Sequence, residues 1–226
     1  MAETGTRTPR ERYRDQVRTE IKDHARQQIA TAGASALSLN AIAKRMGMSG
    51  PALYRYFASR DDLITELVRD AYRSLADTFR AAAGTGTDLP GLAHTLRAWA
   101  LDDPQRYFLV YGTPVPGYHA PDDITGIASE IMTTLLDACT AACTAAGPAD
   151  GPATPFETHL ADHRDWAGDH PAPPAALHWA LTFWTRLHGV LSLELAGHFT
   201  GMGFDPAELF ASELAVLVER RGGAIR

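Results

Sequence analysis

The fold is decided by residues 37–63, which read LSLNAIAKRMGMSGPALYRYFASRDDL. Two short helices are predicted here, Leu39–Met46 and Gly50–Phe57, and each follows a serine whose hydroxyl can cap free backbone amides. Pro51 stands in the first turn of the second helix, where a missing N–H costs nothing. Gly47 permits the positive φ that a tight turn between the helices needs. This layout predicts a helix-turn-helix motif.

An amphipathic helix is predicted before the motif, over about 11–32, and Gly33 is its expected end. Its apolar ridge consists of Val17, Ile21, Ala25, Ile29 and Ala32. The inward face of the two short helices is predicted to pack on this ridge, and it consists of Ile42, Met46, Met48, Leu53 and Phe57. Ala43 is small enough to let the helices cross closely. A three-helix unit follows from this pattern.

The outward face of the two short helices carries the functional signal. Small residues at the front of the second helix let its backbone approach the edges of DNA bases, whereas hydroxyls and arginines suit phosphate contacts. Arg55 can reach a guanine or a phosphate. The residues on this face are Ser49, Gly50, Ala52, Tyr54, Arg55 and Tyr56, with Ser38 and Arg60 at neighbouring helix starts.

Formal charge divides the chain in the same region. Residues 1–60 contain 11 Lys and Arg against 5 Asp and Glu, whereas residues 61–226 contain 10 against 22. A basic first quarter on an acidic body is typical of a small nucleic-acid-binding module. A solvated basic helix would give the same count, so charge alone leaves both interpretations open.

The remaining sequence also predicts helices, and no sustained two-residue alternation indicates a strand, so the expected fold is all-α. The Gly147–Pro174 segment is rich in proline and polar residues and is predicted to be a long loop. Helices are predicted over about 60–83, 89–102, 104–112, 122–146, 174–197 and 206–220.

At residues 37–63 the chain resembles the TetR family of transcriptional regulators. The spacing of Ala43 and Gly47, the Leu-Tyr-Arg-Tyr-Phe core at 53–57 and the basic Arg60 carry this resemblance, which covers about residues 15–70. Many family members have Lys where this chain has Arg60. The resemblance implies that phosphates are bound by Ser38, Tyr54, Tyr56 and Arg60. It also implies that the residues nearest the bases are Ser49, Gly50, Pro51, Ala52 and Arg55.

A second resemblance, to a C-terminal subgroup of the same family with a Trp-His-Gly pattern, is carried by Trp184, His188, Gly189 and Leu193, and by Tyr118 after Pro114–Gly117. It implies a helical body that dimerises through its last two long helices and holds a ligand cavity. We therefore expect an N-terminal three-helix DNA-binding domain at 1–57, with a short N-terminal arm. A larger helical-bundle ligand-binding and dimerisation domain is expected at 58–226.

Aromatic side chains of the body suggest where an effector would bind. Tyr107 and Tyr111 are four residues apart and share a helix face. The predicted lining consists of Trp99, Tyr107, Phe108, Tyr111, Met132, Phe183, Trp184 and His188. Each aromatic residue is equally compatible with a packed core, and the apolar stripes of the last two helices fit either a helix–helix interface or a core.

The expected function is ligand-responsive repression of transcription. A homodimer would bind a pseudo-palindromic operator in double-stranded DNA and be released by a small-molecule effector, and no enzymatic activity or cofactor is expected. Cys139 and Cys143 lie four residues apart in an apolar run and are predicted to be buried free thiols. A lone pair of cysteines lacks the further ligands of a structural zinc site. Residues 1–20 lack the apolar segment of a secretory signal, and a reducing cytoplasm is the expected location. Charged residues and histidines interrupt 175–199, so no membrane span is expected.

Two alternatives remain open at this point. His159 and His163 are four residues apart, and on a helix they would bind zinc together with neighbouring aspartates. The glutamate that follows the first histidine in a metalloprotease helix is absent after His159. Those aspartates are Asp162, Asp165 and Asp169. An interaction protein with a vestigial DNA-binding head would show damage to the outward face at 49–60, and none is evident. The chain contains no Gly-x-Ser-x-Gly sequence, so the nucleophile motif of a serine hydrolase is absent.

Overall fold

The computed structural model describes residues 8–112, 121–147 and 152–219, and all regular structure within these ranges is helical. This confirms the all-α fold. The helices are α1 (Pro9–Ala32), α2 (Leu39–Arg45), α3 (Gly50–Tyr54), α4 (Arg60–Gly84), α5 (Leu89–Asp102), α6 (Pro104–Tyr111), α7 (Asp122–Ala146), α8 (Pro155–Asp162), α9 (Pro174–Leu195) and α10 (Pro206–Glu219). The predicted N-terminal arm up to residue 7 and the motif residues Pro114–Gly117 and Tyr118 lie outside the described residues.

The described residues form two compact units. One takes in 8–70 with Pro121, and the other takes in 71–112, 122–147 and 152–219, so α4 supplies residues to both. We call them the head and the body. No helix of the described residues is both long enough and apolar enough to cross a bilayer.

Local chemistry sets the helix ends. Thr8 and Glu11 form a reciprocal cap at the start of α1, in which each side chain accepts a hydrogen bond from the other residue's backbone N–H. Gly33, with φ at +78°, ends α1 as predicted. Ser59 accepts from the N–H of Asp62 at 3.0 Å and confirms the predicted start of α4.

The head core consists mainly of the predicted residues. Val17, Ile21, Ala25 and Ile29 of α1 are buried, as are Ile42, Ala43, Leu53 and Phe57 of the motif. Met46 and Met48 are only half-buried, so the prediction that they lie on the inward face is wrong in part. Both methionines flank Gly47, where the chain turns away from α2, and their side chains therefore lie at the edge of the core.

The body core is built around α9, which packs against α5, α7, α8 and α10. Cys139 and Cys143 are buried in this core and are not joined in a disulfide, as predicted. Phe183 and Leu187 of α9 are completely buried beside them in the same apolar cluster.

The prediction of a loop over Gly147–Pro174 is wrong, because this segment contains α8 and a 3-10 turn at Asp165–Ala167. Thr154 accepts from the N–H of Glu157, and the Glu157 carboxylate accepts from the N–H of Thr154, which forms a complete capping box. Pro155 occupies the first helical position, where proline is compatible with a helix. Leu160 then anchors α8 to the core. The proline content was therefore a misleading signal.

Candidate nucleic-acid interface

A tight turn positions α3 relative to α2. Gly47 has φ at +66°, in the left-handed region that favours glycine, and the N–H of Met48 donates to the carbonyl of Ala43 at 2.9 Å. An added Cβ at Gly50 would lie 3.7 Å from Oδ1 of Asn40, so the start of α3 lies close to the side of α2. The two short helices form a helix-turn-helix motif.

The predicted contact residues lie at the surface of this motif. Tyr54 is 47% exposed, and Ser49, Pro51 and Arg55 are also exposed. Gly50, Ala52 and Tyr56 are half-buried. Leu53 and Phe57, on the opposite side, are completely buried and fix the orientation of the exposed residues.

Regular α3 ends at Tyr54, three residues before the predicted end at Phe57. The N–H of Tyr56 donates to the carbonyl of Leu53 at 2.8 Å, which is an i to i−3 bond that tightens the chain into a turn. Arg55 and Tyr56 therefore lie on this turn and not on the helix.

The two serines before the short helices behave differently. Ser38 Oγ accepts from the N–H of Ala41 at 3.3 Å and confirms the predicted cap of α2. Because this oxygen acts as an acceptor, the hydroxyl proton is still available to a phosphate oxygen. Ser49 occupies the N-cap position of α3 as predicted, but its side chain makes no capping hydrogen bond, so that part of the prediction is wrong. With only five residues, α3 is instead held by burial of Leu53 and by the turns on either side.

Arg60 has a structural partner besides any phosphate. Its guanidinium donates to the carbonyl of Ala34 at 2.8 Å and lies 3.4 Å from the Asp61 carboxylate. The Arg60 side chain, at the start of α4, thus holds the connection between α1 and α2 in place. About a third of it remains exposed.

Arg18 of α1 joins three elements of the head. Its guanidinium donates to the carbonyl of Tyr56 at 2.6 Å, pairs with Glu66 of α4 at 3.2 Å and lies 4.3 Å from the centre of the Phe57 ring. This charge-assisted contact holds the turn that carries Arg55 and Tyr56. The sequence pattern alone did not identify Arg18, because its partners are distant along the chain.

The basic charge of the head divides into two groups. Lys22 and Arg26 both pair with Asp70 on α4, at 2.7 and 3.1 Å, so this carboxylate offsets part of their positive charge within the head. Lys44, Arg45 and Arg55 are exposed on the motif and form no ion pair among residues 8–112, 121–147 and 152–219. Lys44 and Arg45 were not predicted as contact residues, although their place in the last turn of α2 was a usable signal.

Four of the predicted effector residues form an aromatic cluster in the body: Tyr107, Tyr111, Trp184 and His188. The His188 ring centre lies 4.4 Å from that of Tyr111 and 4.2 Å from that of Trp184. Tyr107 Oη lies 3.0 Å from His188 Nδ1 and 2.8 Å from Ser192 Oγ. We call this group the aromatic cluster.

Burial controls the ionisation of the aromatic cluster. Desolvation lowers the pKa of His188 to about 4, so the imidazole is neutral near pH 7. Burial also raises the pKa values of Tyr107 and Tyr111, so both phenols keep their protons. His188 Nε2 is buried and has no hydrogen-bond partner among the described residues.

The other four predicted effector residues lie elsewhere or at the edge of the cluster. Phe108 meets Tyr107 edge to face, with ring centres 5.6 Å apart. Trp99 is buried, donates to Ser74 Oγ at 3.1 Å and stacks under the Arg106 guanidinium. Phe183 is completely buried in the core. Met132 lines a separate cleft beside α7.

The histidine pair of the metal alternative is close together at the end of α8. The rings of His159 and His163 stack with centres 4.0 Å apart, and His163 Nδ1 lies 3.0 Å from the carbonyl of His159. Within the part of the chain that the structure describes, no group of three or more His, Cys, Asp or Glu side chains is arranged to hold a metal ion.

Comparison with known families gives a match to each part of the chain. Residues 21–67 match the bacterial regulatory proteins of the tetR family, and residues 89–217 match the tetracyclin repressor-like C-terminal domain. The first match contains the helix-turn-helix motif, and the second contains the aromatic cluster. Neither description names a Trp-His-Gly subgroup, so that finer resemblance stays a prediction.

Individual proteins match over almost the whole chain. The HTH-type transcriptional regulator Rv1816 of Mycobacterium tuberculosis is 36% identical over 216 residues, which cover 91% of this chain and 92% of that protein. The crystal structure of the regulatory protein SCO4313 is 71% identical, with a TM-score of 0.85, and covers 94% of this chain and 100% of that one. A TetR/AcrR regulator from Thermobifida fusca shares the fold at 19% identity, with a TM-score of 0.59 over 93% of this chain and 100% of that one.

Proposed function

The chain belongs to the TetR family of bacterial transcriptional regulators and is not an enzyme, and we propose that it is a dimeric repressor that a small molecule releases from DNA. One observation carries the proposal: the exposed hydroxyl and cationic side chains of the motif lie on one face, and Leu53 and Phe57 on the opposite face are fully buried. Such a rigid surface suits the major groove.

We assign two kinds of DNA contact to the motif. Ser38, Tyr54, Tyr56 and Arg60 contact phosphates, and the exposed Lys44 and Arg45 add to the same positive surface. The residues placed nearest the bases are Ser49, Gly50, Pro51, Ala52 and Arg55. Phosphate contacts fix the register of the protein on DNA, whereas contacts with base edges determine the preferred sequence.

The proposed dimer forms through the outward faces of α9 and α10. Leu193 of α9 is 45% exposed, and Val216 and Val218 of α10 are also exposed large apolar residues. Gly189, one turn before Leu193, has no heavy atom within 4 Å of where a Cβ would lie, so a partner helix can approach closely there. Two copies related by a two-fold axis would bury this surface.

The proposed effector site adjoins the aromatic cluster. A buried nitrogen without a partner, His188 Nε2, offers one hydrogen bond to a ligand among otherwise apolar rings. We keep Trp99, Phe108, Met132 and Phe183 as proposed lining residues. To invert a 1:99 equilibrium between DNA-bound and released forms, an effector must favour one form by about 5.5 kcal/mol. Because its target is chromosomal DNA, we place the repressor in the cytoplasm.

Selection of duplexes from a random DNA pool tests this proposal. Purified protein at near-physiological salt is expected to enrich a two-fold symmetric sequence, since each copy in the dimer reads one half. Failure of the folded protein to enrich any sequence would contradict it and favour the interaction-protein alternative.

The selected duplex then serves as a probe for effectors. Compounds that displace the wild-type protein from this duplex are expected to fail with the Tyr111→Ala variant, which should still bind DNA. If that variant responds as the wild type does, the effector site lies away from the aromatic cluster.

A further inference from the structure

A second candidate ligand site lies in the body beside α7. It is a cleft of about 280 Å³ between α7 and residues 165–170, which we call the α7 cleft. Among the proposed effector residues, Met132 also lines the α7 cleft. The proposed repressor mechanism uses none of the other residues that line the cleft.

The outer wall of the α7 cleft is held rigidly. The Arg164 guanidinium donates to the backbone carbonyls of both His170 and Ala172 and so clamps the end of the 165–170 segment. The N–H of Ala172 donates to His170 Nδ1 at 3.1 Å. His170 Nε2 lies 3.0 Å from the Asp137 carboxylate of α7, and this contact ties the segment to the helix. The cleft thus exists before any ligand binds.

The lining of the cleft combines apolar and acidic groups. Met132 and the half-buried Trp166 supply a thioether and an indole ring, and Ser129 and Thr133 supply hydroxyls along the exposed side of α7. Asp165 and Asp169 add two exposed carboxylates, which have no cationic partner within 8–112, 121–147 and 152–219. The described lining contains these two carboxylates and no Lys or Arg side chain.

We propose that the α7 cleft binds a compact organic cation, such as a quaternary or tertiary ammonium group. The face of an indole attracts such cations, and the attraction increases when the cation loses water. Two carboxylates next to the ring add Coulomb attraction, while Met132 contacts the alkyl groups of the ligand. A volume near 280 Å³ suits a small molecule.

A pair of isosteric probes tests this proposal on the full-length protein. Choline and 3,3-dimethylbutan-1-ol have nearly the same shape, but only choline is charged. The protein is labelled with 15N at its tryptophan indoles, and the Trp166→Phe variant identifies the Trp166 signal. Choline is expected to shift that signal with a Kd at least tenfold lower than that of the neutral alcohol.

Matched carboxylate variants localise the site. The Asp165→Asn/Asp169→Asn variant changes two exposed side chains, so its fold should persist, and it should bind choline at least tenfold more weakly. Asp162→Asn, an exposed acid of α8 outside the lining, should bind as the wild type does. Equal binding of both probes, equal binding by the double variant or no choline-induced shift at millimolar concentrations would each overturn the proposal. None of these results bears on DNA binding, which the duplex selection tests separately.

Discussion

Tyr54 shows how one residue of the motif can be tested without disturbing the fold. Its ring is 47% exposed, while Leu53 beside it is completely buried, so substitution at Tyr54 should leave the head folded. Replacing Tyr54 by Phe removes one hydroxyl from the proposed phosphate contact. A hydrogen bond to a charged group contributes about 1.5–3 kcal/mol, so DNA affinity should fall about tenfold or more for every sequence.

Fluorescence anisotropy with several duplexes at two salt concentrations measures this loss. The salt dependence should be unchanged, because the hydroxyl carries no charge. Ala52→Ser is the matched comparison, and we expect it to change the preferred sequence instead. Wild-type affinity in Tyr54→Phe would refute the phosphate assignment.

His188 predicts a pH dependence of stability. Burial lowers its pKa from 6.5 to about 4, so the unfolded chain binds a proton between these values that the folded chain does not. The free energy of unfolding therefore falls as the pH decreases from about 6.5 to about 4, by up to about 3 kcal/mol from this residue. Above pH 6.5 the histidine is neutral in both states and contributes no slope.

Urea unfolding of wild type and His188→Gln between pH 4 and 7.5 checks this contribution. Glutamine cannot titrate in this range but retains hydrogen-bonding capacity toward Tyr107. The stability advantage of the wild type should shrink as the pH falls below 6.5. A difference that is constant with pH would show that His188 titrates alike in the folded and unfolded chains.

Among the helices of the head, α1 acts as the support of the DNA-binding turn. Arg18 donates to the Tyr56 carbonyl at 2.6 Å and pairs with Glu66 on α4. We expect Arg18→Ala to lower the free energy of unfolding by about 1.5–3 kcal/mol, because it removes a charge-assisted bond to a partly buried carbonyl. DNA affinity should fall as well, since the turn carrying Arg55 loses its anchor.

Arg14→Ala is the control for this change, because Arg14 lies exposed one turn earlier on α1. Chemical denaturation and anisotropy should show little loss of stability in the control. If Arg18→Ala matches Arg14→Ala in both measurements, the contacts of Arg18 do not support the turn.

Helix ends of the head could be predicted from the sequence where the signal lies within a few residues. Gly33, Gly47 and the serine before α2 act within a few residues, and each was placed correctly. The proline and polar content of residues 147–174 predicts a loop and misses α8, although Thr154 and Glu157 have the spacing of a capping box. The partners of Arg18 are 38 and 48 residues away, so no periodicity could reveal them.

The aromatic cluster of the body could not be predicted in full, because its contacts join residues that are far apart in the chain. The Tyr107–His188 contact joins residues 81 apart in the chain, and spacing could only suggest that Tyr107 and Tyr111 share a face. Trp99 and Phe183 carry the same residue types as the aromatic cluster, and both are buried in the body core, where an aromatic ring serves packing as well as it would line a ligand site. Composition cannot distinguish these two uses, because both need large apolar rings.

Binding of a pseudo-palindromic operator requires a dimer. Leu193→Glu places a charge on the exposed face of α9, where it should prevent association without disturbing the fold. Analytical ultracentrifugation at micromolar concentration should show a dimer for the wild type and a monomer for the variant. Leu101→Glu, a similarly exposed leucine on α5, should remain dimeric. A dimeric Leu193→Glu protein would move the interface away from α9.

The spacing of the operator halves tests whether the two DNA-binding motifs of a dimer bind together. In a symmetric dimer the two recognition elements face major grooves about 34–36 Å apart, or a multiple of that distance. Inserting five base pairs into the centre of the selected duplex rotates one half by about half a helical turn. We predict that affinity then falls to that of a single half-site. Undiminished binding of the lengthened duplex would contradict a two-fold symmetric repressor.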